Sequence, residues 1–204
     1  IMTTIKRFPL IFSILLFCSF TAAAQNGFWS DDFDNTDQGL SERIYKLCEH
    51  NGIIYATGDF TEAGGVTVNR VAKWDGTQWS AMGSGLNFFG LSIDADDNYV
   101  YVAGLFSEAG GISMDGLARW DGSSWSDIDG SMTSGGIPYD VIADGNGNIY
   151  IGGSFNEVGN VSANNVAMWD GSQWYALGTG TDNWIMELLL VNDTLYAGGN
   201  FTTA

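Results

Sequence analysis

Cysteine, proline and histidine are scarce in this chain, with two, two and one among 204 residues. The cysteines are Cys18 and Cys48, so a dense disulfide framework is excluded. His50 is the single imidazole. A copper or zinc site built on paired histidines is therefore not encoded here, and a Ser-His-Asp triad would depend wholly on that one residue. Basic residues are also few, seven against 24 acidic ones, for a formal net charge of −17. Such a surface repels phosphate backbones, which argues against nucleic acid as a partner. No stretch of ten or more residues carries a convincing helical period, and no apolar run approaches the ~20 residues that span a bilayer.

The longest mostly apolar run, Phe8 to Phe20, is interrupted by Pro9 and Ser13. It follows Lys6 and Arg7 and precedes Thr21 and the small residues Ala22, Ala23 and Ala24. That order reads as a secretory signal peptide over residues 1–24, cleaved before Gln25. Cleavage would remove two basic residues and no acidic one, leaving Cys48 as the remaining thiol. The expected location is extracellular or at the cell surface. Stability must then come from packing.

What the chain has in abundance is glycine and tryptophan, and both recur at fixed intervals. Tyr55-Ala56-Thr57-Gly58-Asp59-Phe60, Val102-Ala103-Gly104-Leu105-Phe106, Tyr150-Ile151-Gly152-Gly153-Ser154-Phe155 and Tyr196-Ala197-Gly198-Gly199-Asn200-Phe201 align, their phenylalanines 46, 49 and 46 residues apart. The first three are each followed by Ala-x-Trp-Asp-Gly, ending at Gly76, Gly122 and Gly171, and by a second tryptophan at Trp79, Trp125 and Trp174. A repeat of this length with four short apolar segments per unit predicts an all-β β-propeller of four-stranded antiparallel blades. In the first unit the strands are expected near Ile44–Cys48, Ile53–Phe60, Arg70–Trp74 and Trp79–Met82. The repeat units run about 41–86, 87–132, 133–181 and 182–204, the last stopping midway, so about three and a half blades are expected over 25–204.

Asp-Gly supplies the turn that a tight hairpin needs, which sets the two tryptophans opposite each other on neighbouring strands. Gly58, Gly104, Gly153 and Gly199 fall inside predicted strands, where each is expected to make room for a bulky neighbouring ring. Trp29-Ser30 followed by Gly39-Leu40 is similar to Trp79-Ser80 followed by Gly85-Leu86. Phe28–Asp31 is accordingly expected to act as an outer strand that completes another blade.

The unit Tyr-x-Gly-Gly-x-Phe, Gly-Gly, Ala-x-Trp-Asp-Gly-x-x-Trp, Leu-Gly-x-Gly resembles the kelch-like and galactose-oxidase-type propeller repeats of secreted bacterial proteins. Many of those carry a type IX secretion sorting domain at their far end, and fungal cortical polarity marker proteins contain a similar repeat. The resemblance spans about Phe28 to Ala204. It implies the fold but no activity, because propellers host unrelated functions.

Repetition separates scaffold from site. Asp75, Asp121 and Asp170, like Glu62, Glu108 and Glu157, recur in each unit and read as turn and loop residues. Strand parity places the short turns, such as Asn51-Gly52 and Asp75-Gly76, on one face of the disc. The longer loops Thr61–Asn69, Ser107–Gly116 and Asn156–Asn165 and the inter-blade connections lie on the other. Phe88, Phe89, Pro138, Tyr139 and Trp184 lie in those connections, and Phe88, Phe89, Tyr139 and Trp184 are the candidate binding residues.

The acidic stretches Asp94–Asn98 and Asp144–Asn148 invite a calcium reading, but neither reaches the twelve-residue loop that ends in glutamate. Hairpin turns explain both, so no metal site and no cofactor is assigned. The adjacent Asp121-Gly122 also differs from the Ser-x-Asp-x-Gly-x-x-Trp turn of sialidase-like propellers. The function expected is a secreted or cell-surface, non-catalytic module that binds an extracellular protein or glycan. A carbohydrate-active hydrolase or lyase using a carboxylate pair placed once, or a spacer in a larger adhesin, are the other classes the residues leave open.

Overall fold

Alternating apolar residues bounded by glycine, asparagine and aspartate turns produce short antiparallel strands throughout the computed structural model. It describes residues 39–129, Met132 and 135–204, together with the backbone of Lys6–Arg7. The expected signal peptide and the outer strand expected at Phe28–Asp31 lie outside the described residues, apart from Lys6–Arg7, which pairs in parallel with Tyr196–Ala197.

Three four-stranded sheets form the blades. The first comprises Ile44–His50, Ile53–Gly58, Val71–Trp74 and Trp79–Ala81, hydrogen-bonded in that order. The second comprises Gly90–Ala95, Val100–Gly104, Leu117–Trp120 and Trp125–Ser126. The third comprises Ile137–Ala143, Ile149–Ser154, Val166–Trp169 and Trp174–Ala176. Ile185–Val191 and Thr194–Gly199 supply the first two strands of a fourth. Three such meanders and the first half of a fourth, their first strands packed against one another, are the blades of a β-propeller.

Each turn between the third and fourth strands is held by its aspartate. Asp121 Oδ1 accepts from Ser123 N at 2.8 Å and Ser124 N at 2.7 Å. Asp75 and Asp170 do the same in their blades. Hydroxyl and amide donors hold both carboxyls at about 2, below the usual carboxylate range. The tryptophans flanking the turns pair directly across the strands, Trp74 with Trp79, Trp120 with Trp125 and Trp169 with Trp174, at ring separations of 5.7, 5.3 and 5.4 Å. The second ring of the latter two pairs also ties blades together: Trp125 Nε1 donates to Met82 O at 2.8 Å, and Trp174 Nε1 to Ile128 O at 3.2 Å.

The recurring in-strand glycine has a role different from the one expected. A Cβ on Gly58, Gly104, Gly153 or Gly199 would sit 2.1, 2.3, 2.1 or 2.3 Å from the carbonyl oxygen of Arg43, Phe89, Ile137 or Trp184. The space is therefore needed by backbone and not by a ring. In every blade the first strand enters through a β-bulge, between Ile44 and Lys46, Gly90 and Ser92, Pro138 and Asp140, and Ile185 and Glu187. Glycine lets that bulge lie flush on the second strand.

The bulge also fixes which residues face which blade. Two positions after it, Ile93, Val141 and Leu188 are buried against the preceding blade, at 1%, 0% and 3% exposure. Leu47 holds the same position in the first blade, where no described residue covers it, and is 51% exposed.

Candidate functional site

The antiparallel order puts the entry ends of all four first strands on the long-loop face, beside the bulges. The skipped residue of each bulge is Tyr45, Leu91, Tyr139 or Met186, and the residue two before it is Arg43, Phe89, Ile137 or Trp184. The candidate aromatics therefore occupy recurring structural positions, although their identities change from blade to blade. Phe88 and Phe89 stack at 4.1 Å, and Phe89 meets Tyr45 edge-on at 6.1 Å. Tyr139 and Trp184 lie 6.1 Å apart at an interplanar angle of 51°. Phe88 and Trp184 are exposed, and Phe89 and Tyr139 half-buried. The four predicted residues thus form two separate pairs, one at the junction of the first two blades and one at the junction of the third and fourth.

One residue beyond each bulge the four first strands carry Lys46, Ser92, Asp140 and Glu187. Lys46 Nζ lies 2.5 Å from Glu187 Oε1 and 3.5 Å from Asp140 Oδ1, bringing the first, third and fourth blades to one point. Ser92 Oγ donates to Asp140 Oδ1 at 2.5 Å. The side-chain exposures, 2% for Asp140, 29% for Lys46 and 65% for Glu187, grade the cluster from a sealed base to an open top.

Part of this polarity is structural. The innermost strand of a blade has a free edge whose amides need acceptors. Asp140 Oδ2 accepts from Leu188 N at 2.7 Å, and Ser92 Oγ from Val141 N at 3.2 Å, the same bond made one blade apart. Asp94 Oδ2 likewise takes Ala143 N at 2.8 Å. Lysine cannot accept such a bond, so Lys46 departs from the pattern and reaches across to the carboxylates. Burial raises the Asp140 carboxyl to about 6, against the pull of Lys46, while the neighbouring Glu187 adds to the rise. Burial lowers the Lys46 ammonium, but the two carboxylates overcome it and leave the value raised.

Beside this cluster Asp59 Oδ2 accepts from Arg43 Nε at 3.2 Å and Tyr45 Oη at 3.3 Å. Its Oδ1 is buried with no hydrogen-bond partner among the described residues.

The acidic stretches are organised as hairpins. Asp94 and Ala95 belong to a strand, Asp96 Oδ1 accepts from Asn98 N and Tyr99 N at 2.8 Å each, and Asp144 Oδ1 accepts from Asn146 N and Asn148 N. Those bonds engage the carboxylates that a calcium loop would need, and no group of three metal-ligating side chains occurs among the described residues. His50 lies at the far end of its strand, 2.9 Å from Asp97 Oδ1, remote in the chain fold from the aromatic pairs.

The Lys46 cluster and Tyr45 were not among the predicted site residues. The available signal was a single register, one residue past the bulge, where the units carry lysine, serine, aspartate and glutamate in turn.

No protein-family model and no curated protein matches the chain. Among solved structures, the chain is similar to one described as YCF48 bound to D1 peptide, at 18% identity and a TM-score of 0.45. The match covers 70% of this chain and 41% of that one.

Proposed function

We propose that this chain is an exported, non-catalytic propeller module that binds an extracellular protein or glycan at the mouth formed by its converging first strands. The observation that supports the reading is the recurrence of these groups at the entry ends of the first strands, where the Phe88–Phe89 and Tyr139–Trp184 ring pairs and the Lys46–Glu187 ion pair stand within three residues of the bulges. Half-exposed rings beside a polar group are what a recognition surface needs, since each ring offers contact area at little entropic cost. A paired-carboxylate hydrolase is disfavoured on physical grounds. Asp140 is only 1% exposed and already accepts bonds from Leu188, Ser92 and Lys46, so neither water nor a glycosidic oxygen reaches it.

The test is binding of the complete exported protein to arrays of glycans and extracellular proteins, with Trp184→Ala and Tyr139→Ala measured alongside. Binding that both substitutions weaken by about tenfold, with melting unchanged, supports the reading. Binding that both leave untouched removes the mouth from the function.

A further inference from the structure

The mouth has more acceptor than donor capacity. Two cations, Arg43 and Lys46, stand against three carboxylates, Asp59, Asp140 and Glu187, and both cations are already paired. Glu187 is two-thirds exposed, so of the three it is the carboxylate that an N–H donor from outside can reach. The accessible rings point to the same chemistry, because an aromatic face attracts a cation and repels an anion. The whole chain, at −17, would draw a basic partner towards it.

We infer that the mouth receives an arginine or lysine side chain of a protein partner, its charge held by Glu187 and its stem or guanidinium plane laid on the Tyr139–Trp184 pair. This deepens the proposed binding role and rests on it. A neutral glycan could also stack on the rings, but it would leave the surplus of carboxylate unanswered. An acidic peptide would meet that surplus as repulsion.

The experiment follows the Trp184 indole N–H resonance of the complete protein, identified by its loss in Trp184→Phe. The probes are a glycine-flanked peptide with one central arginine, its citrulline analogue, and a set of neutral oligosaccharides. The arginine peptide should shift the resonance, and citrulline should weaken binding about tenfold, since it keeps the shape and loses the charge. Glu187→Gln, at an exposed position, should weaken the arginine peptide by roughly three- to fivefold, and added salt should do the same. Equal binding of arginine and citrulline, or an oligosaccharide response that Glu187→Gln does not alter, would overturn the cation assignment and leave the binding module standing. If no probe moves the resonance and the array experiment also finds no ligand, both readings fall.

Discussion

Replacing Gly104 by alanine should destabilise the protein and disturb the candidate site at once. The new Cβ would lie 2.3 Å from Phe89 O, 2.8 Å from Gly90 Cα and 2.8 Å from Leu91 N. All three are backbone atoms of the bulge, so no rotamer change relieves the clash. Overpacking of this kind costs about 1–3 kcal/mol. Loss of glycine's freedom in the unfolded chain returns roughly 0.4–1 kcal/mol of that. The net centres on about 1.3 kcal/mol, within roughly 0–2.6 kcal/mol, and at its centre lowers the melting temperature by about 3–5 °C for a chain of this size. Gly39→Ala is the control, because its Cβ would meet nothing within 4 Å and its φ is not left-handed. It should stay within about 0.5 kcal/mol of the parent. Thermal and urea melts of the two variants side by side give the answer. A Gly104→Ala protein as stable as Gly39→Ala would refute the claim that the bulge requires glycine.

Trp125→Phe keeps an aromatic ring in the blade but removes the indole donor to Met82 O, which retains Gly85 N at 3.1 Å, and should cost about 0.5–1.5 kcal/mol in a urea melt. Asp140 gives a pH signature of definite sign. Its carboxyl is raised in the folded state, so between the ordinary carboxylate range and about 6 the folded chain holds a proton that the unfolded chain has released. This contribution is full at low pH and is lost as pH rises through that window. Asp140→Asn should therefore flatten the stability profile between about pH 4 and 6, and an unchanged slope in denaturant titrations would place the titration elsewhere.

The parts of the fold legible in the sequence are those that every unit must repeat. Trp-Asp-Gly-x-x-Trp announces a hairpin because turn and ring pair are local, and the predicted strands of the first unit match Ile44–His50, Ile53–Gly58, Val71–Trp74 and Trp79–Ala81 to within two residues at each end. The glycine before each phenylalanine was visible as a recurring demand for space, but the occupant, a bulged backbone from another strand, depends on a register that composition does not reveal. The charged cluster was hidden for a related reason. Lys46 and Glu187 are 141 positions apart and meet only because the first strands of separate blades converge. Of the candidate aromatics, Trp184 and Phe88 were legible as rings in polar connections. Tyr45 was not, because it falls inside an apolar strand whose bulge turns it outwards.

The most direct test of the binding mouth is amide hydrogen exchange of the complete protein with and without a ligand taken from the array experiment. Added protection is expected over residues 43–46, 88–92, 137–140 and 184–188, at the entry ends of the first strands. Protection confined to the opposite face, in the turns at residues 51–52, 75–78 and 121–124, would contradict it.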